Sequence, residues 1–216
     1  MEHITLIKDS LPSLFSGVAV TLKITIISLF FASVLGLIFG LMSISHKKVL
    51  NALAVVYVDI MRGTPLIVQA FFIYFGLPSV LDFKIDAVVA GVIALSLNAG
   101  AYMAEIFRAG IKSIDKGQME AARSVGLPYG KAMRKVILPQ AVRRMTPAII
   151  NQFIISLKDT SILSVIGIQE LTQSGEIIIA STYKAFQIWG VVAVMYFIII
   201  TTLSIVSKKI ERSLSL

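Results

Sequence analysis

The sequence has no cysteine and only two histidines, His3 and His46, among its 216 residues. Without cysteine the chain can form no disulfide, no cysteine-ligated zinc site and no thiol nucleophile. Two histidines so far apart in the sequence do not predict a metal site either. Charged residues make up 15% of the chain, whereas about 25% is usual in soluble domains. These absences exclude disulfide-rich, metal-centred and thiol-dependent classes of protein.

Apolar residues are abundant instead. Hydrophobic side chains make up 56% of the chain, and the mean hydropathy is +0.87. A single soluble core cannot bury so many apolar side chains. The formal charge of +8 would indicate nucleic-acid binding in a soluble protein, but in a membrane protein it reflects basic inner loops. We therefore predict a multi-pass membrane protein that contacts lipid and no nucleic acid, and its first residues do not show the pattern of a cleavable signal peptide.

Five segments of the sequence are long and apolar enough to cross a bilayer. A helix rises about 1.5 Å per residue, so about 20 apolar residues span a hydrocarbon core of about 30 Å. The segments are, in order, Leu14–Ile44, Asn51–Leu77, Asp86–Phe107, Thr146–Ile168 and Trp189–Val206. This pattern predicts an all-α membrane protein with five transmembrane helices, which form a single domain over residues 1–216.

Lysine and arginine are distributed unequally between the two sides of these spans. Fourteen would lie on one side, and only Lys8, Lys84 and Lys184 on the other. Nine of the fourteen fall between Arg108 and Arg144. Because basic loops stay on the cytoplasmic side, this distribution predicts an outer N-terminus and an inner C-terminus.

The connection between the third and fourth spans, residues 109–143, is the least hydrophobic part of the chain. Asp115 can cap a short helix at its N-terminus, and Gly126 can end that helix after an alanine-containing turn. Leu127-Pro128 and Leu138-Pro139 then divide the remaining segment. This spacing predicts two short helices outside the membrane, the first with small side chains that suit a groove in another protein.

The same connection carries a longer motif, formed by Glu120-Ala121-Ala122, Gly126 and Val136-Ile137-Leu138-Pro139. It resembles the EAA loop of the permeases of bacterial ATP-binding-cassette (ABC) importers, in which Glu-Ala-Ala, glycine and Ile-x-Leu-Pro recur at these spacings. Val136 in place of isoleucine is a departure that conserves shape. Four other segments resemble the polar amino-acid uptake branch of that family: Arg62–Leu66, Gln69–Phe72, Tyr102–Ile106 and Lys158–Ser161.

The resemblance implies a type I ABC importer permease in the bacterial cytoplasmic (inner) membrane, with a cytoplasmic coupling helix in residues 109–143. The coupling residues would be Glu120, Ala121, Ala122, Arg123 and Gly126. It implies two ABC ATPase subunits docked inside and a substrate-binding protein docked outside. A second copy of the chain would complete the pathway as a homodimer, with a heterodimer with a sister subunit as the alternative.

No ATPase motif occurs in the sequence. A P-loop requires G-x-x-x-x-G-K-[ST], and the nearest stretch, Gly126–Ala132, is one residue short between its glycines and lacks a hydroxyl residue after the lysine. We therefore expect a non-catalytic subunit without catalytic residues or metal ligands. It would bind no cofactor, because ATP and magnesium would be held by the partner ATPases.

Charged side chains within the spans need a partner or a function, since each costs about 2.5–3.5 kcal/mol at the bilayer centre. Asp59 and Arg62 lie three residues apart, as do Glu105 and Arg108, and both pairs are interpreted as structural ion pairs near the inner surface. Gly63-Thr64-Pro65 follows the first pair and predicts a kink or break of the helix. Such breaks are tolerated where the backbone lines a cavity or packs inside protein.

Two sets of polar residues share helix faces at membrane depth. They are Asn98 and Tyr102 on the third span, and Gln152, Ser156 and Asp159 on the fourth, where Thr160 and Ser161 add hydroxyl groups nearby. The first set either lines the substrate path or supplies hydrogen bonds between helices. The second set either binds substrate or holds the dimer interface. A zwitterionic amino acid needs an acceptor for its ammonium group, and we predict that Asp159 supplies it, with Ser161 beside it.

These features predict a permease that carries polar L-amino acids by alternating access. The acids Asp159 and Glu105 slightly favour basic substrates such as arginine, lysine or histidine, although pairing of Glu105 with Arg108 weakens that preference. A glutamine- or glutamate-type importer is the alternative within the same family. An oligomeric ion-coupled carrier or channel is the alternative from a different class. The identity of the amino acid, the composition of the dimer and the location of selectivity stay open at this point.

Overall fold

The structure is a computed structural model that describes residues 2–214, and the side chains of residues 5–209. Over residues 2–214 the chain is helical and forms no β-strand, which confirms the predicted all-α class. Two π-helical segments, Phe72–Gly76 and Met133–Ile137, and one 3₁₀-helix, Thr160–Ile166, lie between α-helices. The α-helices are, in chain order, α1 Glu2–Ser43, α2 Lys48–Gly63, α3 Leu66–Phe71, α4 Leu77–Leu81, α5 Ala87–Lys112, α6 Lys116–Ser124, α7 Tyr129–Ala132, α8 Leu138–Asp159, α9 Leu171–Thr182 and α10 Ala185–Leu214.

Four stretches of the described chain are long and apolar enough to cross a membrane. They are Thr5–Ser43, Ala87–Lys112, Tyr129–Ile166 and Ala185–Lys209. A fifth span results if α2 is counted together with the helical segment Leu66–Leu81 that follows it. The chain therefore has four or five apolar spans, depending on how this bent pair is counted.

The second predicted span is broken where the sequence reads Gly63-Thr64-Pro65. α2 ends at Gly63, and both Thr64 and Pro65 have extended backbones. Proline lacks an N–H donor, and it disfavours a helical conformation in the residue before it. The helices on the two sides of the break meet at an angle of 103°. The predicted discontinuity is confirmed, and it is a sharp bend within the span.

α1 packs along α5 through small residues that let the two backbones approach closely. Gly36 faces Met103, and a Cβ added at Gly40 would lie 2.9 Å from the Cβ of Phe107. Ala32, on the same side of α1, is fully buried. α2, α8 and α9 pack around this central pair, and α10 lies against α8 and α9.

The outer surface of the helices is strongly apolar. Phe30 and Phe197 are 66% and 70% exposed, whereas Ile24, Leu95 and Leu163 are fully buried where α1 and α5 meet the 3₁₀-helix. An apolar side chain that faces lipid costs no free energy of hydration. The burial of apolar side chains between these helices is therefore driven by van der Waals packing and not by exclusion from water. This surface is suited to contact with acyl chains or with another membrane subunit.

The segment of residues 109–143 joins α5 to α8 and packs against both. Its first residues belong to the end of α5, and its last residues belong to the start of α8. The buried side chains that anchor the segment are Ile114, Ile137, Ala141 and Met145. The guanidinium of Arg144 on α8 donates a hydrogen bond to the carbonyl oxygen of Ser113. The turn before α6 is therefore tied to α8, and α6 itself packs against α7 and the π-helical segment Met133–Ile137.

Candidate functional site

Two side-chain amides donate hydrogen bonds to the backbone carbonyl groups at the break between α2 and α3. The Nε2 atom of Gln69 donates to the carbonyl oxygens of Met61, at 2.8 Å, and Thr64, at 3.0 Å, and also contacts the Thr64 hydroxyl at 2.9 Å. The Nδ2 atom of Asn98, on α5, donates to the Oε1 atom of Gln69 at 3.2 Å and to Met61 O at 3.3 Å. Carbonyl groups freed at a helix end need such donors, because lipid supplies none.

Asn98, predicted on sequence to line the substrate path or to link helices, is thus 93% buried and engaged within the protomer. Its role here is the hydrogen-bonding alternative. Gln69 was given no role by sequence reasoning, although a glutamine four residues after the helix-breaking Pro65 is a signal that a side chain closes the break. Tyr57 belongs to the same region, and its hydroxyl donates to the carbonyl oxygen of Leu97 at 2.7 Å.

The predicted ion pair between Asp59 and Arg62 does not form. The Cζ atom of Arg62 instead lies 5.4 Å from the centroid of the Tyr102 ring, in the geometry of a cation–π contact. The spacing on α2 allows the pair, but packing against α5 places an aromatic face over the guanidinium. Among the side chains of residues 5–209, the structure contains one ion pair, Glu105 with Arg108, in which Nε and Oε2 are 2.8 Å apart.

The polar residues of α8 separate into a buried and an accessible group. Gln152, Ser156 and Thr160 are 94–100% buried, with the Gln152 Nε2 atom 3.3 Å from the Ser156 hydroxyl and the Thr160 hydroxyl donating to Leu157 O at 2.6 Å. These three residues face the interior of the protomer. Their side chains are therefore not accessible from outside the protomer, and their placement on the substrate path stays a prediction.

Asp159 and Ser161 keep access to the surface of the protomer. Asp159 is half-buried and forms no hydrogen bond or ion pair with any described residue, while the Ser161 hydroxyl donates to Lys158 O at 2.7 Å. Tyr102, on α5, is also accessible, with 37% of its surface exposed. Of the residues predicted on the substrate path, these three are therefore the ones that an external ligand or subunit can reach.

A continuous face of α8 leads to Asp159 and was not singled out from the sequence. Its exposed residues follow helical spacing and are Arg144, Ala148, Asn151, Ile155 and Lys158. Nothing in the protomer covers this mixed face, which ends beside the accessible carboxylate. The signal in the sequence is the polar residue Asn151 one position before the buried Gln152, because neighbouring positions on a helix point about 100° apart.

A buried carboxylate anchors α9 between the spans. Glu170 is fully buried, accepts a hydrogen bond from the backbone N–H of Gln173 at 2.8 Å, and accepts another from the Tyr196 hydroxyl of α10 at 2.8 Å. The neighbouring Leu171 N–H donates to the hydroxyl of Thr21 on α1 at 3.2 Å. Sequence reasoning missed this residue, which stands among polar residues in the sequence and shows its burial only in the fold.

The short helix α6 is capped at both ends. Asp115 accepts from the N–H of Gly117 at 2.7 Å, which confirms the predicted N-cap. Gly126 has a φ of 88°, and its N–H donates to Arg123 O at 3.0 Å, while the N–H of Leu127 donates to Ala122 O at 3.2 Å. These two bonds form a Schellman motif, the typical end of a helix that stops at glycine.

The predicted coupling residues divide between two faces of α6. Glu120, Ala121, Arg123 and Gly126 are exposed, whereas Ala122 is 94% buried within its own chain. The Ala122 side chain is therefore covered within the protomer, and its role in coupling stays a prediction. The small side chain lets α6 lie close to the rest of the loop.

Comparison with known proteins gives consistent matches over almost the whole chain. Residues 32–215 match the family described as binding-protein-dependent transport system inner membrane component. The glutamine transport system permease protein GlnP of Escherichia coli K12 is 43% identical over 96% of this chain and 95% of its own length. The arginine transport system permease protein ArtQ of Bacillus subtilis 168 is 40% identical over 94% of this chain and 93% of its own.

Solved structures agree with these matches. A chain from the crystal structure of an amino acid ABC transporter with histidines is 40% identical, has a TM-score of 0.93 and is matched over 99% of both chains. A chain of the inward-facing MetNI methionine ABC transporter is 23% identical, with a TM-score of 0.78 over 94% of this chain and 96% of that one, and it shows the shared type I permease fold. The chain therefore belongs to the family of binding-protein-dependent transport system inner membrane components.

Proposed function

We propose that this chain is the non-catalytic permease subunit of an ATP-driven ABC importer of polar L-amino acids. The observation that carries the proposal is α6, an exposed helix of nine residues that is capped at both ends and packs against α7 and the π-helical segment Met133–Ile137, which leads into α8. A short rigid helix outside the spans can transmit movement of a partner to the helices it joins. The names of the relatives, glutamine and arginine permeases, support the substrate class.

In this proposal α6 is the coupling helix, and it lies on the inner side of the membrane, with the N-terminus of the chain outside. Two ATPase subunits that hold ATP and magnesium contact its exposed residues, among them Glu120 and Arg123. A substrate-binding protein delivers the amino acid from outside. In a homodimer, a second copy of the chain covers the face of α8 that is exposed in the single protomer.

The substrate path passes Asp159, Ser161 and Tyr102. Asp159 has no partner within the described chain, so its carboxylate is free to accept hydrogen bonds from a substrate ammonium group. A basic side chain and an α-ammonium group would both satisfy this acceptor. We therefore propose polar L-amino acids as substrates, with arginine and glutamine both fitting, and with no preference between them assigned.

Uptake by the reconstituted complex tests this proposal. Proteoliposomes with the chain, its ATPase subunits and internal Mg·ATP should accumulate radiolabelled L-glutamine or L-arginine when the binding protein is added outside. Asp159→Asn should lower uptake at least tenfold, because it removes the charge that receives the ammonium group. The matched control Asp82→Asn changes an exposed aspartate between α4 and α5, at a left-handed position that asparagine also adopts, and should leave uptake unchanged.

Two results would contradict the proposal. Uptake that follows an ion gradient and persists without ATP would identify a carrier instead of an ABC importer. Wild-type uptake by Asp159→Asn would remove that residue from the substrate path. A larger loss of arginine than of glutamine uptake in this variant would indicate that Asp159 reads the basic side chain, whereas equal losses indicate recognition of the α-ammonium group.

A further inference from the structure

A charged cavity of about 400 Å³ lies between α2 and α5, close to the end of α1. Its charged lining residues are Asp59, Arg62, Glu105, Arg108 and Lys112. The remainder of its walls combines apolar residues of the two helices, including Ala54 and Ala104, with the polar residues Ser43 and Asn51. Charged side chains next to apolar helices are unfavourable unless they have partners of opposite charge or polar surroundings.

Only some of the charged side chains that line the cavity have an ionic partner within the chain. Glu105 and Arg108 are bound to each other, with Nε and Oε2 2.8 Å apart. Arg62 presents its guanidinium to the ring of Tyr102, a contact that leaves its N–H groups without an acceptor in the described chain. Asp59 and Lys112 form no hydrogen bond or ion pair with any described residue. One carboxylate and two cations therefore face the cavity without an ionic partner.

We propose that this cavity binds a zwitterion, with Asp59 accepting hydrogen bonds from its ammonium group and Arg62 and Lys112 holding its anionic group. A simple anion would also meet the carboxylate of Asp59, and a simple cation would also meet the positive groups of Arg62 and Lys112. A ligand that carries both charges satisfies all three side chains at once. The free α-amino acid and the phosphoethanolamine headgroup of a membrane lipid share this chemistry.

The cavity adjoins the proposed substrate path at Tyr102, whose ring contacts Arg62, but Asp159 and Ser161 are not among the residues that line it. Its position on the inner side of the membrane rests on the orientation in the proposed function. An amino acid bound there would be one that has left the pathway or that enters from the cytoplasm. A bound lipid would instead fix α2 against α5 beside the break at Thr64.

Native mass spectrometry of the purified complex tests the proposal, since it counts small ligands retained on an intact membrane protein. The probes are L-glutamine, L-arginine, phosphatidylethanolamine and, as an anionic comparison, phosphatidylglycerol. We expect at least tenfold weaker retention of the zwitterion in Asp59→Asn and in Lys112→Gln. The matched control is Lys48→Gln, which removes an exposed charge from the start of α2 that does not line the cavity.

The outcomes separate the sources of the ligand and the two proposals. Loss of a retained amino acid, or of retained phosphatidylethanolamine, in both cavity variants but not in Lys48→Gln supports the site and identifies its ligand. Retention that is equal in all variants, or a preference for phosphatidylglycerol, overturns it. Asp59→Asn is nearly isosteric and breaks no hydrogen bond, so an unfolded variant is not expected. Binding is measured without transport, so failed uptake in proteoliposomes would leave this result unaffected.

Discussion

Replacing Gly126 by alanine tests whether the sharp end of α6 is needed for coupling. Gly126 has a φ of 88°, and no atom lies within 4 Å of a Cβ added there. The substitution therefore creates no clash and acts through backbone strain, about 1–2 kcal/mol for an L-residue in a left-handed conformation. Alanine also restricts the unfolded chain, which offsets about 0.4–1 kcal/mol of that strain. We expect a net local destabilisation of about 1 kcal/mol, or about a fivefold larger open fraction.

Hydrogen–deuterium exchange of the peptide that covers α6 measures this opening directly. Amides near the Schellman motif of Gly126 and Leu127 should exchange about fivefold faster in the variant, by the same estimate. A frayed α6 should transmit less movement, so the amount of amino acid taken up per ATP hydrolysed should fall in proteoliposomes. The rate of ATP hydrolysis itself should change less than uptake, because the ATPase subunits are unaltered.

Gly130→Ala is the matched control for this variant. Gly130 is exposed and also has no atom within 4 Å of an added Cβ, but its φ lies outside the left-handed region. Alanine there should be neutral or slightly stabilising. Gly126→Asn should behave close to the wild type, because asparagine tolerates the left-handed conformation. Equal effects of the two alanine substitutions, or unchanged exchange in Gly126→Ala, would refute the assignment of rigidity to this cap.

Three further substitutions test the packing of the spans by thermal or denaturant unfolding in detergent. Gln69→Leu should destabilise the chain by about 1–3 kcal/mol, because it leaves carbonyl oxygens at the helix break unpaired, whereas the exposed Gln169→Leu should have little effect. Tyr196→Phe removes a hydrogen bond to a buried carboxylate and should cost about 1.5–3 kcal/mol; no change would show that the bond contributes nothing. Gly36→Ala should disrupt packing against α5, while Gly63→Ala, with open space around its added Cβ, should not.

The features that local chemistry determines could be predicted from the sequence. Long apolar stretches indicate spans whatever surrounds them, and Gly63-Thr64-Pro65 favours a break because proline donates no backbone hydrogen bond and disfavours a helical conformation at Thr64. Asp115 and Gly126 define the ends of α6 through bonds to their own neighbours. Each of these outcomes involves residues within about one helical turn of each other, so helical spacing alone is enough to anticipate them.

Features that depend on a second helix were not predictable in the same way. Spacing on α2 predicts an Asp59–Arg62 pair, but it contains no information that α5 places Tyr102 beside the guanidinium. Helical periodicity correctly groups Gln152 and Ser156 on one face of α8, yet it does not say whether that face points into the protomer or towards a pathway. The accessible face of α8, which includes Asn151, is defined by the positions of the neighbouring helices, and these are not contained in the spacing along α8.

The surroundings of four acids in the membrane part of the chain indicate where external partners act. Glu105 has Arg108, and Glu170 has the Tyr196 hydroxyl and a backbone N–H, so their acceptors are occupied within the chain. Asp59 and Asp159 have no such donors among the described residues. Retaining an unsatisfied carboxylate among apolar helices is unfavourable, and a purely structural role would be served better by asparagine or an apolar residue. A positive group from outside the protomer would supply the missing hydrogen-bond donors of both carboxylates. At Asp159 this group is the ammonium group of the substrate in the pathway. At Asp59 it is the ammonium group of a zwitterion in the inner cavity.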